Sequence, residues 1–207
     1  MTFDAWWPFF VATVLISLSP GPGAIAAMGA GLNHGFARGQ RIALGLMLGV
    51  WTQLLVVGVG LGALLATSTV AFAVVKWLGV AYLVWLGIQQ WRAPAKPLLE
   101  GKPGTQARGE LLLRGWSVNA INPKGTVFLL AVMPQFLDPQ AALPAQYLTI
   151  AATFGAVEFA VMTGYVALAA RLLGWLQSPR QMQWMSRCFG SLFILAGLAL
   201  ARFHRHA

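Results

Sequence analysis

Two long apolar stretches of this chain carry helix-breaking residues near their middles: Ser19-Pro20-Gly21-Pro22-Gly23 in the first stretch and Asn122-Pro123-Lys124-Gly125 in the fourth. A proline inside a helix removes one backbone donor and clashes with the preceding turn, so each interruption leaves polar backbone groups unpaired in hydrocarbon. Lipid-facing segments do not tolerate this. Buried segments do when the freed carbonyls and amides line a cavity. Matched interruptions in the two halves of one chain therefore point to the substrate site of a membrane transporter.

Composition narrows the class. Of 207 residues, 58% are hydrophobic and only 9% charged, and the mean hydropathy is +0.69. Charged residues make up roughly a quarter of a soluble domain, so lipid is the solvent for most of this surface. A transmembrane barrel would alternate polar and apolar residues in segments of about ten, whereas the runs here are longer and continuous. The expected fold is an all-α polytopic membrane protein. The net charge of +9 belongs mostly to the ends of apolar runs, where Lys and Arg mark the cytoplasmic side, and no compact basic face is left for nucleic acid. A single cysteine, Cys188, excludes an internal disulfide and any Cys-x-x-Cys site. The start, Met1-Thr2-Phe3-Asp4, has no basic n-region of the kind that precedes a cleaved signal segment.

Six spans are expected, at 6–30, 41–66, 70–91, 111–136, 145–170 and 184–203. Arg38 and Arg41 follow the first; Arg92, Lys96, Lys102, Arg108 and Arg114 surround the gap between the third and fourth; Arg171, Arg180 and Arg187 separate the fifth and sixth. These connections belong on the cytoplasmic side, with both termini outward, although Arg202 and Arg205 at the C-terminus run against that assignment. The polar, proline- and glycine-rich segment 92–110 reads as a linker inside a single membrane domain, between repeat one (1–91) and repeat two (111–207). Three spans per half make the second half enter the membrane from the opposite side, which is the arithmetic of an inverted repeat. Internal likeness agrees. The two interruptions lie about a hundred positions apart, Gly49-Val50-Trp51-Thr52 matches Gly155-Ala156-Val157-Glu158, and Lys76-x-x-Gly79-x-x-Tyr82 matches Arg187-x-x-Gly190-x-x-Phe193.

The candidate substrate-binding residues cluster at one depth. Ser19, Pro20, Gly21 and Pro22 form the first interruption, and Asn119, Asn122, Pro123 and Lys124 surround the second. A lysine near a span centre costs about 3 kcal/mol on insertion scales. Glu158 is the one carboxylate deep in any expected span. Two readings of the opposite charges stay open: a structural ion pair, or a division of labour in which Lys124 and exposed amides meet an anionic group while Glu158 meets a cation or a coupling proton. Thr52 and Gln53 lie at the corresponding depth of the second span, as cavity lining or as interhelical hydrogen-bonding groups. Metal transport would need His, Cys or clustered carboxylates in the spans, and His34, His204 and His206 lie outside them. No set of residues for hydrolytic catalysis sits at depth, so no enzyme, cofactor or metal is expected. A non-transporting subunit would not need Lys124 and Glu158.

Four blocks in this order resemble the LysE/RhtB family of amino-acid exporters along nearly the whole chain: Ser19-Pro20-Gly21-Pro22; Gly31-Leu32-Asn33-His34-Gly35-Phe36-Ala37-Arg38-Gly39; Lys76-Trp77-Leu78-Gly79-Val80-Ala81-Tyr82-Leu83-Val84-Trp85-Leu86-Gly87; and Asn119-x-x-Asn122-Pro123-Lys124 with Pro134-Gln135-Phe136. The resemblance implies gradient-driven efflux of an amino acid or a derivative such as homoserine lactone across the cytoplasmic membrane. It leaves open a coupling proton and a homodimer. Many relatives carry an acidic residue soon after the glycine matching Gly49, where this chain has Trp51, Thr52 and Gln53. That departure argues against a strongly cationic substrate and leaves Glu158 as the main candidate for carrying a proton.

Overall fold

The computed structural model describes residues 1–65, 69–92, 108–138 and 140–171, with separate positions between 180 and 198. Among these residues the structure is helical: α1 Phe3–Leu18, α2 Pro22–Leu65, α3 Thr69–Arg92, α4 Arg108–Ala120, α5 Pro123–Phe136 and α6 Leu143–Arg171. Among the described residues two stretches are long and apolar enough to cross a membrane, Pro22–Gly60 and Leu143–Arg171.

The prolines act through the residues before them. Pro20 excludes its predecessor from the helical region, and Ser19 accordingly takes φ −68°, ψ 124° and ends α1. Asn122 precedes Pro123 and takes φ −72°, ψ 110°; its side chain accepts a hydrogen bond from the Lys124 N–H, and Pro123 opens α5. An N-cap asparagine followed by a proline that lacks the unneeded donor is a favourable helix start. α1 does not pack along α2, nor α4 along α5. The chain therefore does not fold back on itself at either interruption.

It does fold back inside α2. Gly35 has φ 71°, ψ 177°, a region open essentially to glycine alone. A side chain on Gly39 would come within 3.4 Å of the backbone of Ala30 and Gly31, which on a straight helix would lie more than ~10 Å away. The turn expected between the first two spans is thus a single residue, and His34, expected in a loop, lies in the helical path just before it.

The remaining bounds shift by a few residues. α3 is described to Arg92 and α4 from Arg108, and most of the expected linker at 92–110 lies outside the described residues. Most of the expected sixth span at 184–203 also lies outside them, as do Arg202, His204, Arg205 and His206.

α2 is the hub, packed on α4 and α6, while α3 lies on α5 and α1 on α6. Most of the buried apolar residues among those described form two clusters. One contains Phe9, Ile16, Leu54, Phe128, Met133, Ile150 and Phe154; the other contains Ala24, Met28, Ile42, Leu46, Met162, Tyr165 and Val166. Along α6 the first cluster supplies Ile150 and Phe154, the second Met162 and Val166, and Glu158 falls between them. Large apolar side chains also face outward, including Leu55 at 70% and Val59 at 78% exposure, the arrangement a lipid-facing surface requires.

Candidate functional site

The buried polar residues are few, and most converge between the two apolar clusters. Ser17, Ser19, Gln53, Asn119 and Glu158 are all buried and line one cavity together with Gly21, Asn122 and Lys124. Its apolar walls are Ile16, Val50, Phe154 and Met162, and Gly23 and Ala24 present the first turn of α2.

Glu158 is the centre. Ser17 Oγ donates to its Oε2 at 2.7 Å, and Asn119 Nδ2 donates to its Oε1 at 2.8 Å. Asn119 Nδ2 also reaches the Leu46 carbonyl at 2.9 Å, tying α4 to α2. Hydrogen bonds from neutral donors hold the carboxylate at a defined place without cancelling its charge.

The interruptions free backbone carbonyls, and side chains from other elements satisfy them. Tyr165 donates its hydroxyl to the Leu18 carbonyl. Lys124 Nζ donates to the Ser19 carbonyl at 2.8 Å. At the second break Gln53 Nε2 donates at 2.7 Å to the Asn122 carbonyl, which also accepts the first helical N–H of α5 from Thr126, and to Thr126 Oγ1 at 3.1 Å. Gly125 leaves the space for that amide, since a Cβ there would collide with Gln53 Oε1. Ser19 Oγ is the exception, a buried hydroxyl with no hydrogen-bond partner.

The helix ends give the cavity an electrical polarity. The C-terminal ends of α1 and α4 carry partial negative charge, and the N-terminal ends of α2 and α5 carry partial positive charge, each about half an elementary charge. Together with Glu158 they suit a small zwitterion: its ammonium against Glu158 and the α1 carbonyls, its carboxylate against the first turn of α2. The space left open to water is about 30 Å³, room for one or two water molecules and too little for an amino acid. An amino acid would fit there only with the surrounding helices further apart. Among the described residues no group of His, Cys, Asp and Glu could hold a metal ion.

Of the residues expected from sequence, Ser19, Gly21, Gln53, Asn119, Asn122, Lys124 and Glu158 meet at the cavity. Pro20, Pro22 and Pro123 do not line it. Pro20 is buried, while Pro22 and Pro123 are exposed and open α2 and α5. Thr52 is also absent from the lining: its hydroxyl donates to the Leu48 carbonyl at 3.0 Å and accepts from Trp116 Nε1 at 3.1 Å, the interhelical role that sequence reading left open. Sequence reading missed Ser17 and Tyr165. Ser17 lies two residues before the first break, and Phe154, Glu158, Met162 and Tyr165 recur at the spacing of one helix face, so both carried a readable signal.

The chain is similar to known proteins along its length. The chain is 46% identical over 207 residues, all of both chains, to a homoserine/homoserine lactone efflux protein of Salmonella typhi. It is 38% identical over 201 residues, 97% of this chain and 98% of the other, to an uncharacterized membrane protein of Vibrio cholerae. A leucine efflux protein of Enterobacter sp. strain 638 is 26% identical over 202 residues, 96% of each chain. No solved structure matches. The model of the LysE type translocator family matches residues 14–203, a range that takes in both helix interruptions and every residue lining the cavity. This polar chamber thus lies within a family of transport proteins rather than enzymes, and the chain belongs to the LysE type translocators.

Proposed function

We propose that this protein exports a small amino acid, homoserine or its lactone first among them, across the cytoplasmic membrane by alternating access at the Glu158 cavity. The observation that carries this reading is a buried carboxylate held by Ser17 and Asn119 in a chamber bounded by four helix ends. Glu158 and the Ser19 carbonyl receive the substrate ammonium. The first turn of α2 receives the carboxylate or the lactone carbonyl, and the unpartnered hydroxyl of Ser19 offers a hydrogen bond to a further substrate oxygen. The full-length likeness to a homoserine/homoserine lactone efflux protein supports the substrate class.

In this reading α1 with residues 22–34 forms one broken span, and α4 with α5 another. The two are related as inverted repeats about the cavity, and one repeat rocks against the other. Contacts between corresponding segments support it. Trp51 Nε1 donates to the Ala151 carbonyl at 3.0 Å, joining the second and fifth spans; Trp91 Nε1 donates to Ser191 Oγ at 2.9 Å, joining the third and sixth; and α1 touches α5. Arg38 and Arg41 beside the Gly35 turn favour a cytoplasmic position for that end and an outward N-terminus. Glu158 is also where a coupling proton would ride.

The test is to express the chain in cells loaded with homoserine-, threonine- or leucine-containing dipeptides and to measure which amino acids appear outside. The expected result is selective release of homoserine above vector-bearing cells. Release of leucine alone would replace the substrate assignment, and no excess release of any amino acid or lactone would refute export.

A further inference from the structure

We propose that Lys124 is a tethered counter-ion: in the empty carrier its ammonium occupies the place of the substrate's ammonium, and substrate displaces it. This rests on the export reading above and adds how the empty site returns. Three observations carry it. Lys124 Nζ donates to the Ser19 carbonyl at 2.8 Å, at the negative end of α1 and in the cavity that Glu158 lines, which is where the fold is most favourable to a cation. The Ser19 hydroxyl beside it is buried without a partner. Gly21 leaves the lysine stem its room, since a Cβ there would stand 3.3 Å from Nζ and 3.5 Å from Cδ.

The cavity cannot hold both cations at once. Two unit charges about 4 Å apart repel by roughly 4 kcal/mol at an effective dielectric constant of 20. An arriving ammonium must therefore drive the flexible lysine off the Ser19 carbonyl, and its release lets the lysine back. The site then holds one positive charge against Glu158 whether loaded or empty, and it can reorient in both states. Without the lysine, the loaded site still reorients. The empty site would carry an uncompensated carboxylate between apolar clusters, which opposes the return step.

Exchange needs only the loaded carrier, whereas net efflux also needs the empty one. The experiment is to reconstitute wild type, Lys124→Met and Lys124→Arg at matched protein in liposomes preloaded with radiolabelled homoserine. Label release is then measured into buffer and into buffer containing unlabelled homoserine. In Lys124→Met the ratio of net efflux to exchange should fall about tenfold or more, and Lys124→Arg, which keeps a positive charge, should restore much of it. Exchange by Lys124→Met also reports that the variant is folded; should it fail to insert, Lys124→Gln provides the same comparison. A parallel fall of both modes, or an unchanged ratio, overturns the counter-ion role while wild-type transport leaves the export reading standing. Wild type that moves neither homoserine nor, in liposomes so loaded, leucine in either mode overturns that reading and this inference with it.

Discussion

Glu158→Gln yields a protein that inserts and folds at wild-type abundance but exports about a hundredfold less. Glutamine preserves the shape, and its amide can be satisfied in place. Asn119 Nδ2 would donate to the glutamine oxygen, and the Ser17 hydroxyl, which donates to Glu158 now, can rotate to accept from the glutamine nitrogen. The change therefore removes charge with little loss of packing. A hydrogen bond to a charged partner contributes about 1.5–3 kcal/mol, and roughly 1.4 kcal/mol corresponds to a factor of ten, so losing the carboxylate's hold on an ammonium accounts for an effect of that size. Export is read as amino acid released per unit of protein in the membrane fraction. Export near the wild-type rate from a well-expressed variant would remove Glu158 from substrate binding.

Gly45→Val should eliminate folded protein while leaving synthesis intact. At Gly45 a Cβ would collide with the Leu112 carbonyl oxygen and stand 2.8 Å from the Trp116 nitrogen. At Gly115, on the facing helix, it would collide with the Ile42 carbonyl oxygen and stand 3.0 Å from the Leu46 nitrogen. These obstacles are backbone, so no side-chain rotation relieves them and α2 must separate from α4. Small residues that let backbones approach are the basis of helix association in lipid, and overpacking such a contact costs on the order of 3 kcal/mol. The damage reaches the site, because the Asn119 to Leu46 hydrogen bond crosses the same interface. Gly60→Val is the control, since nothing lies within 4 Å of a Cβ there. Detergent-extracted Gly45→Val should be aggregated or degraded while Gly60→Val elutes as wild type; equal abundance and melting temperature for the two would contradict this packing.

The interruptions were legible because a proline constrains the residue before it wherever it stands, so Ser19 and Asn122 could be read as helix ends from Pro20 and Pro123 alone. That Glu158 falls near the middle of α6 was legible from span length. Which polar residues face the cavity was not. Thr52 and Gln53 are neighbours in sequence, and about 100° of rotation about the helix axis separates them; Gln53 enters the lining while Thr52 turns to Trp116. Ser17 was overlooked because a lone serine in an apolar helix ordinarily bonds its own backbone, as Thr13 does to Phe9. Only the approach of α6 gives Ser17 a carboxylate to bond instead. The prolines made the breaks conspicuous and drew attention to themselves, yet Pro22 and Pro123 stay exposed at helix starts, shaping the site without facing it.

The account stands or falls on the cavity being where substrate sits, and the lone Cys188 makes that measurable. Met162 is 3% exposed and lines the cavity. With Cys188→Ser as background, Met162→Cys can be labelled by a small thiol reagent in a variant first shown to export homoserine. Homoserine should slow labelling several-fold, with a concentration dependence matching transport, while a sugar of similar size should not. A labelling rate that homoserine leaves unchanged in the export-competent variant would place the substrate site elsewhere.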